Sequence, residues 1–230
     1  MKIQPIKALL FMKEDSERVP NKNLRDFNGR PLFHWILETL SKSKYIEEIL
    51  INTDSDRIAE DSSKLFNATI HNRPDHLLEL ESDEPYQLLS HDLKIIEGEY
   101  FLNTHSTNPL LKIKSINKAI EIFFRNLDTF DSLFSTTKFQ KRFYYQDCKP
   151  INHDPKNLIK TQGLDAIFEE DSCIYLFTRK SFFGNLNRIG KQPKLFPIER
   201  VESIDIDNEF DFIFAESLMK QRIESSNHVK

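Results

Sequence analysis

Ile6-Lys7-Ala8-Leu9-Leu10-Phe11-Met12, running directly into Lys13-Glu14-Asp15-Ser16-Glu17-Arg18-Val19-Pro20-Asn21-Lys22-Asn23, decides the fold. The first seven residues are apolar except for Lys7, which is how a strand covered on both faces of a parallel sheet reads. The charged segment behind it is then a loop leaving the C-terminal end of a central strand. Open α/β sheets bind ligands there, and backbone amides there can point at an anion. Lys13, Ser16, Arg18, Lys22 and Asn23 add side-chain donors to the same loop, and a polyphosphate held away from water needs several. On composition alone the segment also reads as a charged surface loop.

Downstream, Asn28-Gly29-Arg30-Pro31 makes a turn, and Leu32, Trp35, Ile36, Thr39 and Leu40 recur at helical spacing with Pro31 at the start. Ile46 to Thr53 reads as a second strand. It closes on Asp54-Ser55-Asp56, where Asp54 and Asp56 are read as capping the helix that begins with Ile58-Ala59. This alternation is that of an α/β protein with a parallel sheet. Further strands are expected at Thr69–His71, Tyr100–Asn103, Ser132–Thr137 and Cys173–Phe177, and helices at Tyr86–Ile96, Ile113–Phe124 and Asp211–Arg222. From about Thr137 to Glu170 the periodicity weakens. Phe139, Phe143, Tyr144 and Tyr145 alternate with polar residues, and Pro150 and Pro155 break the run. The stretch reads as an excursion from the sheet.

Near the end, Ser203-Ile204-Asp205-Ile206-Asp207 puts two carboxylates on one side of an extended chain, because side chains alternate with period two. A hard divalent cation commonly takes one or two carboxylates together with phosphate oxygens and water, so Asp205 and Asp207 are candidate metal ligands. By itself, Asp-x-Asp also describes a solvated strand edge.

The bulk properties narrow the class. A chain of 230 residues is read as a single domain, 1–230, large enough for a full core without a metal or disulfide staple. Its 32 Lys and Arg are spread along the sequence and the formal charge is -4, so nucleic acid is not expected as a partner. Cys148 and Cys173 show neither CxxC nor zinc spacing and read as reduced thiols of a cytoplasmic protein. No apolar stretch approaches the roughly 18 residues of a membrane span, and the N-terminus lacks a signal-peptide h-region. No GxGxxG follows the first strand, which argues against a Rossmann dehydrogenase.

The order of residues in the opening loop resembles the N-terminal signature of the acylneuraminate and 3-deoxy-octulosonate cytidylyltransferases, written roughly A-R-x-G-S-K-G-x-P-x-K-N. Ser16, Pro20, Lys22 and Asn23 fall in register, and Leu24-Arg25 and Asn28 to Leu32 continue the likeness. Lys13 stands where the family has Arg, and Glu14-Asp15 and Glu17-Arg18 replace its glycine-rich stretch. Ile51 to Asp56 resembles V-S-T-D-D, His71-Asn72-Arg73-Pro74 resembles F-x-R-P, and Asn103 to Leu111 resembles Q-P-T-S-P-L. Cys173-Ile174-Tyr175 falls where the family shows N-G-A-I-Y, with Asp171 and Ser172 in place of Asn-Gly. Ser203 to Glu216 is similar to S-I-D-I-D-T-x-x-D-x-x-x-A-E.

The resemblance implies a Rossmann-like nucleotide-diphospho-sugar transferase fold, α/β, with a mostly parallel central sheet flanked by helices. It implies transfer of CMP from CTP to a 2-keto-3-deoxy sugar acid, with release of pyrophosphate, for surface glycan synthesis. Lys13, Ser16, Arg18, Lys22, Asn23, Arg73 and His105 would then contact the nucleotide. For Arg73 a plain surface ion pair, and for His105 a histidine satisfied within its loop, stay open beside that role. Asp205 and Asp207 would hold Mg2+ or Mn2+ and, with Lys22, carry catalysis. Lys160 and Gln162, in a segment resembling P-R-x-Q-x-L-P, would face the sugar acid, and the 137–170 excursion would reach across to a second subunit of a homodimer. The carboxylate-rich loop keeps two alternatives in view: a nucleotide-binding homologue without turnover, and a transferase using another nucleotide.

Overall fold

The computed structural model describes residues 2–74, 77 and 85–227. In chain order the elements are β1 (Ile6–Met12), α1 (Leu32–Ser41), β2 (Ile46–Thr53), α2 (Asp56–Phe66), β3 (Thr69–Asn72), α3 (Pro85–Ile95) and β4 (Tyr100–Asn103). They continue with α4 (Ile113–Arg125), β5 (Ser132–Phe139), β6 (Ile167–Thr178), α5 (Arg179–Asn185), β7 (Pro193–Ile198) and α6 (Glu209–Asn227). The strands form one seven-stranded sheet in the order β3-β2-β1-β4-β6-β5-β7. Only β6 runs against the rest, pairing antiparallel with both β4 and β5.

The alternation along β1 shows why the sheet is covered on both faces. Ile6, Ala8, Leu10 and Met12 enter the core under α1, α2 and α4, where Phe33, Ile36, Ile58, Ile120 and Phe123 meet them. Leu9 points the other way, to Leu89 and Leu93 of α3 and Phe182 of α5. A third cluster joins the opening loop to the C-terminal helix: Val19, Phe27 and Leu32 pack on Ile206, Phe212, Ala215 and Met219. This last cluster positions the site.

Several expectations are corrected. β7 has no counterpart in the sequence reading because Pro193 and Pro197 punctuate it; it lies at the sheet edge beside β5, where proline is tolerated. The helix α5, only seven residues long, was also not anticipated, although Thr178 and Ser181 form a reciprocal cap at its start. β6 is longer than the Cys173–Phe177 core that the sequence indicated, so the excursion is confined to residues 140–166. Ser55, not Asp54 or Asp56, caps α2: its side chain accepts from the Ile58 amide, and its backbone is extended. The Asp205-x-Asp207 segment belongs to no strand; it is an extended stretch between the turn at 201–203 and α6.

Candidate active site

The opening loop leaves β1 at the centre of the sheet and is tied at three points. The Asn23 side chain, buried, donates to the Lys13 carbonyl at 3.0 Å and accepts from the Ser106 hydroxyl at 2.7 Å, which ties the two ends of the loop together. Val19 is wholly buried in the third cluster. The Glu14 amide donates to Asp54 at 2.9 Å, so Asp54 fastens the loop and does not cap a helix. These ties compensate for the missing glycines. Asn21 alone in the segment takes a positive φ, +53°, a conformation that asparagine adopts more readily than most residues.

The acidic segment arrives on the same side. The Ile206 amide donates to the Thr107 carbonyl at 3.0 Å, and the Asn108 side chain donates to the Ile204 carbonyl at 3.4 Å. Ile206 is fully buried in the third cluster, and its neighbours Asp205 and Asp207 both lie close enough to Lys22 for their charges to act on it. Lys22 donates its ammonium to the Ile206 carbonyl, and Arg18 pairs with Asp207 at 2.7 Å. Loop and acidic segment, at opposite ends of the chain, are therefore in direct contact.

Two further struts fix that contact. Arg25 makes a bidentate pair with Glu209 at 2.6 and 2.7 Å while lying over the Phe212 ring. The Asn28 side chain donates to the Glu216 carbonyl at 2.9 Å. Asn28 and Gly29 both have positive φ, +54° and +87°, as a tight primed turn requires. Thus Arg25, Asn28 and Glu216, which carry part of the sequence resemblance, act here as scaffolding.

Electrostatically the site is poised for a cation and an anion together. Burial raises the Asp205 carboxyl above its ordinary value; the Thr107 hydroxyl opposes this and the Asp207 charge adds to it. Its Oδ1 is buried without a hydrogen-bond partner, an arrangement that costs free energy unless a positive charge or a donor compensates it. Lys22 is lowered by burial, against the pull of Asp205 and Asp207. The Arg18–Asp207 pair is open to solvent, with side chains 68% and 49% exposed, so separating it costs little. Among the described residues no group of three or more His, Cys, Asp or Glu is assembled to hold a metal. Two carboxylates beside a phosphate-facing loop do fit a magnesium-like ion that takes its remaining oxygens from substrate and water.

Arg73 is buried at the end of β3, with Nε donating to Asn52 at 2.9 Å and Nη2 reaching the carbonyls of Asn52 and Met12. Its Nη1 is buried and unpartnered. Among the described residues the hydrogen-bond partners of Arg73 are neutral acceptors at the root of the opening loop. His105 follows β4; its Nε2 lies 3.1 Å from Arg188 Nη1. Burial first, then Arg188 and Lys22, bring its pKa down to about 3, so it is neutral. Ser16 is half-buried and Lys13 exposed in the loop.

Lys160 and Gln162 are not brought to this cluster. Both are exposed on the arm, flanking and within a short 3-10 turn at Thr161–Gly163, and the Gln162 carbonyl accepts from Gln140 at 2.8 Å. Arg188 was missed altogether. It stands in the loop between α5 and β7, where no periodicity or motif marks it. Asp171 and Ser172, which stand in place of Asn-Gly, make a local turn: Asp171 accepts from the Cys173 amide, and Ser172 takes φ +58°. The two cysteines are both free thiols, Cys173 buried and Cys148 exposed. No helix among the described residues is long and apolar enough to cross a membrane.

A mostly parallel sheet with a loop bearing Lys13, Arg18 and Lys22 and an acidic pair gathered at the C-terminal end of its central strand has the layout of an α/β nucleotide-binding fold. The chain belongs to the cytidylyltransferase family, whose model matches residues 8–227. It is 27% identical over 220 residues to the post-translational flagellin modification protein B of Campylobacter coli, covering 90% of this chain and 92% of that one. It is 26% identical over 222 residues to the pseudaminic acid cytidylyltransferase of Campylobacter jejuni, with 92% and 94% covered. Among solved structures it resembles a CMP:2-keto-3-deoxy-manno-octonic acid synthetase complexed with CTP. The TM-score is 0.70 at 15% identity, covering 95% of this chain and all of that one, a likeness of fold.

Proposed function

We propose that the protein transfers CMP from CTP to a 2-keto-3-deoxy sugar acid, as a homodimer in the cytoplasm. The anomeric hydroxyl oxygen forms a bond to the α-phosphorus, the α–β phosphoanhydride bond breaks, pyrophosphate leaves, and the hydroxyl proton passes to solvent. No covalent enzyme intermediate is needed, so catalysis rests on in-line placement and charge neutralisation. The observation that carries this reading is the contact of Arg18 and Lys22 with the Asp205–Asp207 segment.

In this scheme the loop amides, Lys13, Ser16, Arg18, Lys22 and Asn23 receive the triphosphate, and Arg73 offers it the unpartnered Nη1. Asp205 and Asp207 would hold Mg2+ or Mn2+, which when bound would supply charge neutralisation at the phosphates. Arg18 then exchanges Asp207 for phosphate, a change that its exposed ion pair permits. His105, neutral, remains available as a hydrogen-bonding wall beside the nucleotide.

Pyrophosphate release from CTP and Mg2+ with pseudaminic, legionaminic, N-acetylneuraminic and 3-deoxy-octulosonic acids tests the proposal. One of these acids is expected to support turnover. Asp207→Ala should lose roughly a hundredfold or more in kcat with a much smaller change in CTP affinity. Undiminished activity of that variant contradicts the assignment. CTP binding without release under any condition favours the non-catalytic reading, which the crowded carboxylates of the opening loop motivate.

A further inference from the structure

Among the described residues Arg188 has no salt-bridge partner and is held in place by neutral groups. Its guanidinium lies 3.6 Å from the centroid of the Tyr175 ring, a close cation–π contact. Nη1 donates to Asn103 Oδ1 at 2.9 Å and meets His105 Nε2 at 3.1 Å. No carboxylate among the described residues forms a salt bridge with it, and its Nε is buried with no hydrogen-bond partner. One edge of the guanidinium is thus anchored. Nη2 makes no hydrogen bond within the described residues and, unlike Nε, is not buried, so its N–H groups can donate to an incoming carboxylate.

The loop that carries Arg188 is fixed on both sides. The Gly190 amide donates to Ser132 at 2.8 Å, and the Lys191 and Gln192 amides donate to Asp131 at 2.8 and 3.1 Å. A Cβ on Gly190 would fall 2.2 Å from an Asp131 oxygen, so the close approach needs glycine. The Ile189 amide donates to Asn187 at 2.7 Å. Such a loop presents its arginine without further ordering, which favours binding.

The position matches a chemical need of the reaction. In a 2-keto-3-deoxy sugar acid the carboxylate is attached to the same carbon as the attacking hydroxyl, so it must sit close to the α-phosphate. His105 bridges the two places: Arg188 contacts its ring, and Lys22, at the acidic pair, is near enough to depress it further. Lys160 and Gln162, the sequence candidates, lie out on the arm.

We propose that the Nη2 end of the Arg188 guanidinium is the carboxylate subsite for the sugar acid, an inference that rests on the CMP-transfer reading. The test is steady-state kinetics of Arg188→Gln and Arg188→Lys with whichever of the four acids the wild type accepts, and with its methyl ester. Arg188→Gln is expected to raise the KM for the acid roughly 10- to 100-fold, the range for a lost charge-assisted pair, while the KM for CTP stays within about threefold. Lysine should restore part of the loss. The ester should be a poor substrate for the wild type and no worse for Arg188→Gln. An unchanged acid KM, or equal losses on acid and ester, overturns the subsite alone. Absence of turnover by the wild type with all four acids overturns the reading beneath it, and the subsite with it. Should Arg188→Gln not fold, equal use of acid and ester by the wild type still sinks the proposal.

Discussion

His105 is drawn down to about 3 by burial, Arg188 and Lys22, in that order. In the unfolded chain a histidine titrates near 6.5. Between those values the folded protein binds fewer protons than the unfolded one, so stability rises with pH across that window and is lost as pH falls below 6.5. His34, also lowered chiefly by burial, acts in the same direction. The readout is therefore a difference: urea-derived stability of the wild type should fall below pH 6.5 more steeply than that of His105→Gln. The extra slope should approach about 1.4 kcal/mol per pH unit. Parallel profiles for the two proteins would remove the case for a neutral, cation-facing His105.

The same residue shows what a sequence reveals and what it hides. Lys22, Asn23, Asp205 and Asp207 could be singled out as candidates because each sits in a contiguous string, and the structure brings the two strings into contact. Arg188 could not, since its partners Tyr175, Asn103 and His105 lie far from it in sequence and only the fold assembles them. Asp54 was misread as a cap because Asp54, Ser55 and Asp56 all have capping side chains, and only the extended backbone of Ser55 decides among them.

Among the elements, α6 governs the acidic pair through its first turn. Asn208 Oδ1 accepts from the Asp211 amide at 3.0 Å, and Asp211 Oδ2 accepts from the amides of Asn208 and Asp207, each at 3.1 Å. This reciprocal cap satisfies amide donors at the helix start and holds the backbone of Asp207. Asn208→Ala should lower stability by about 1 kcal/mol, read as a shift in the urea midpoint at unchanged m-value. No shift would mean that the cap is not the strut described. β1, α1 and β2 were legible at this scale because their apolar pattern is strong and uninterrupted. β7 was not: only pairing with β5 makes a strand of a hexapeptide with two prolines.

The whole molecule leaves two apolar surfaces without cover. α6 begins with apolar side chains on both sides: Phe212 and Ala215, followed by Met219, face inward, while Phe210, 74% exposed, Ile213 and Phe214 face outward. The 140–166 arm closes on itself through Arg142 to the Ile159 carbonyl and Asn152 to the carbonyls of Lys141 and Asp165. It still exposes Tyr144, Tyr145, Ile151 and Leu158. Between the root of the arm and α6 lies a cavity of about 820 Å³, lined by Phe139, Glu169, Asp205, Phe210 and Phe214. Apolar faces of this kind are uncommon on monomers and mark association surfaces. A second copy covering them would also close the cavity beside Asp205, where water must be excluded for charge neutralisation to be effective. Light scattering should therefore give twice the 27.2 kDa chain mass. Phe210→Glu with Phe214→Glu should yield monomers that bind CTP but have a raised KM for the sugar acid. A wild-type monomer at micromolar concentration would instead make the arm a self-contained flap, and the active site would have to be complete within one chain.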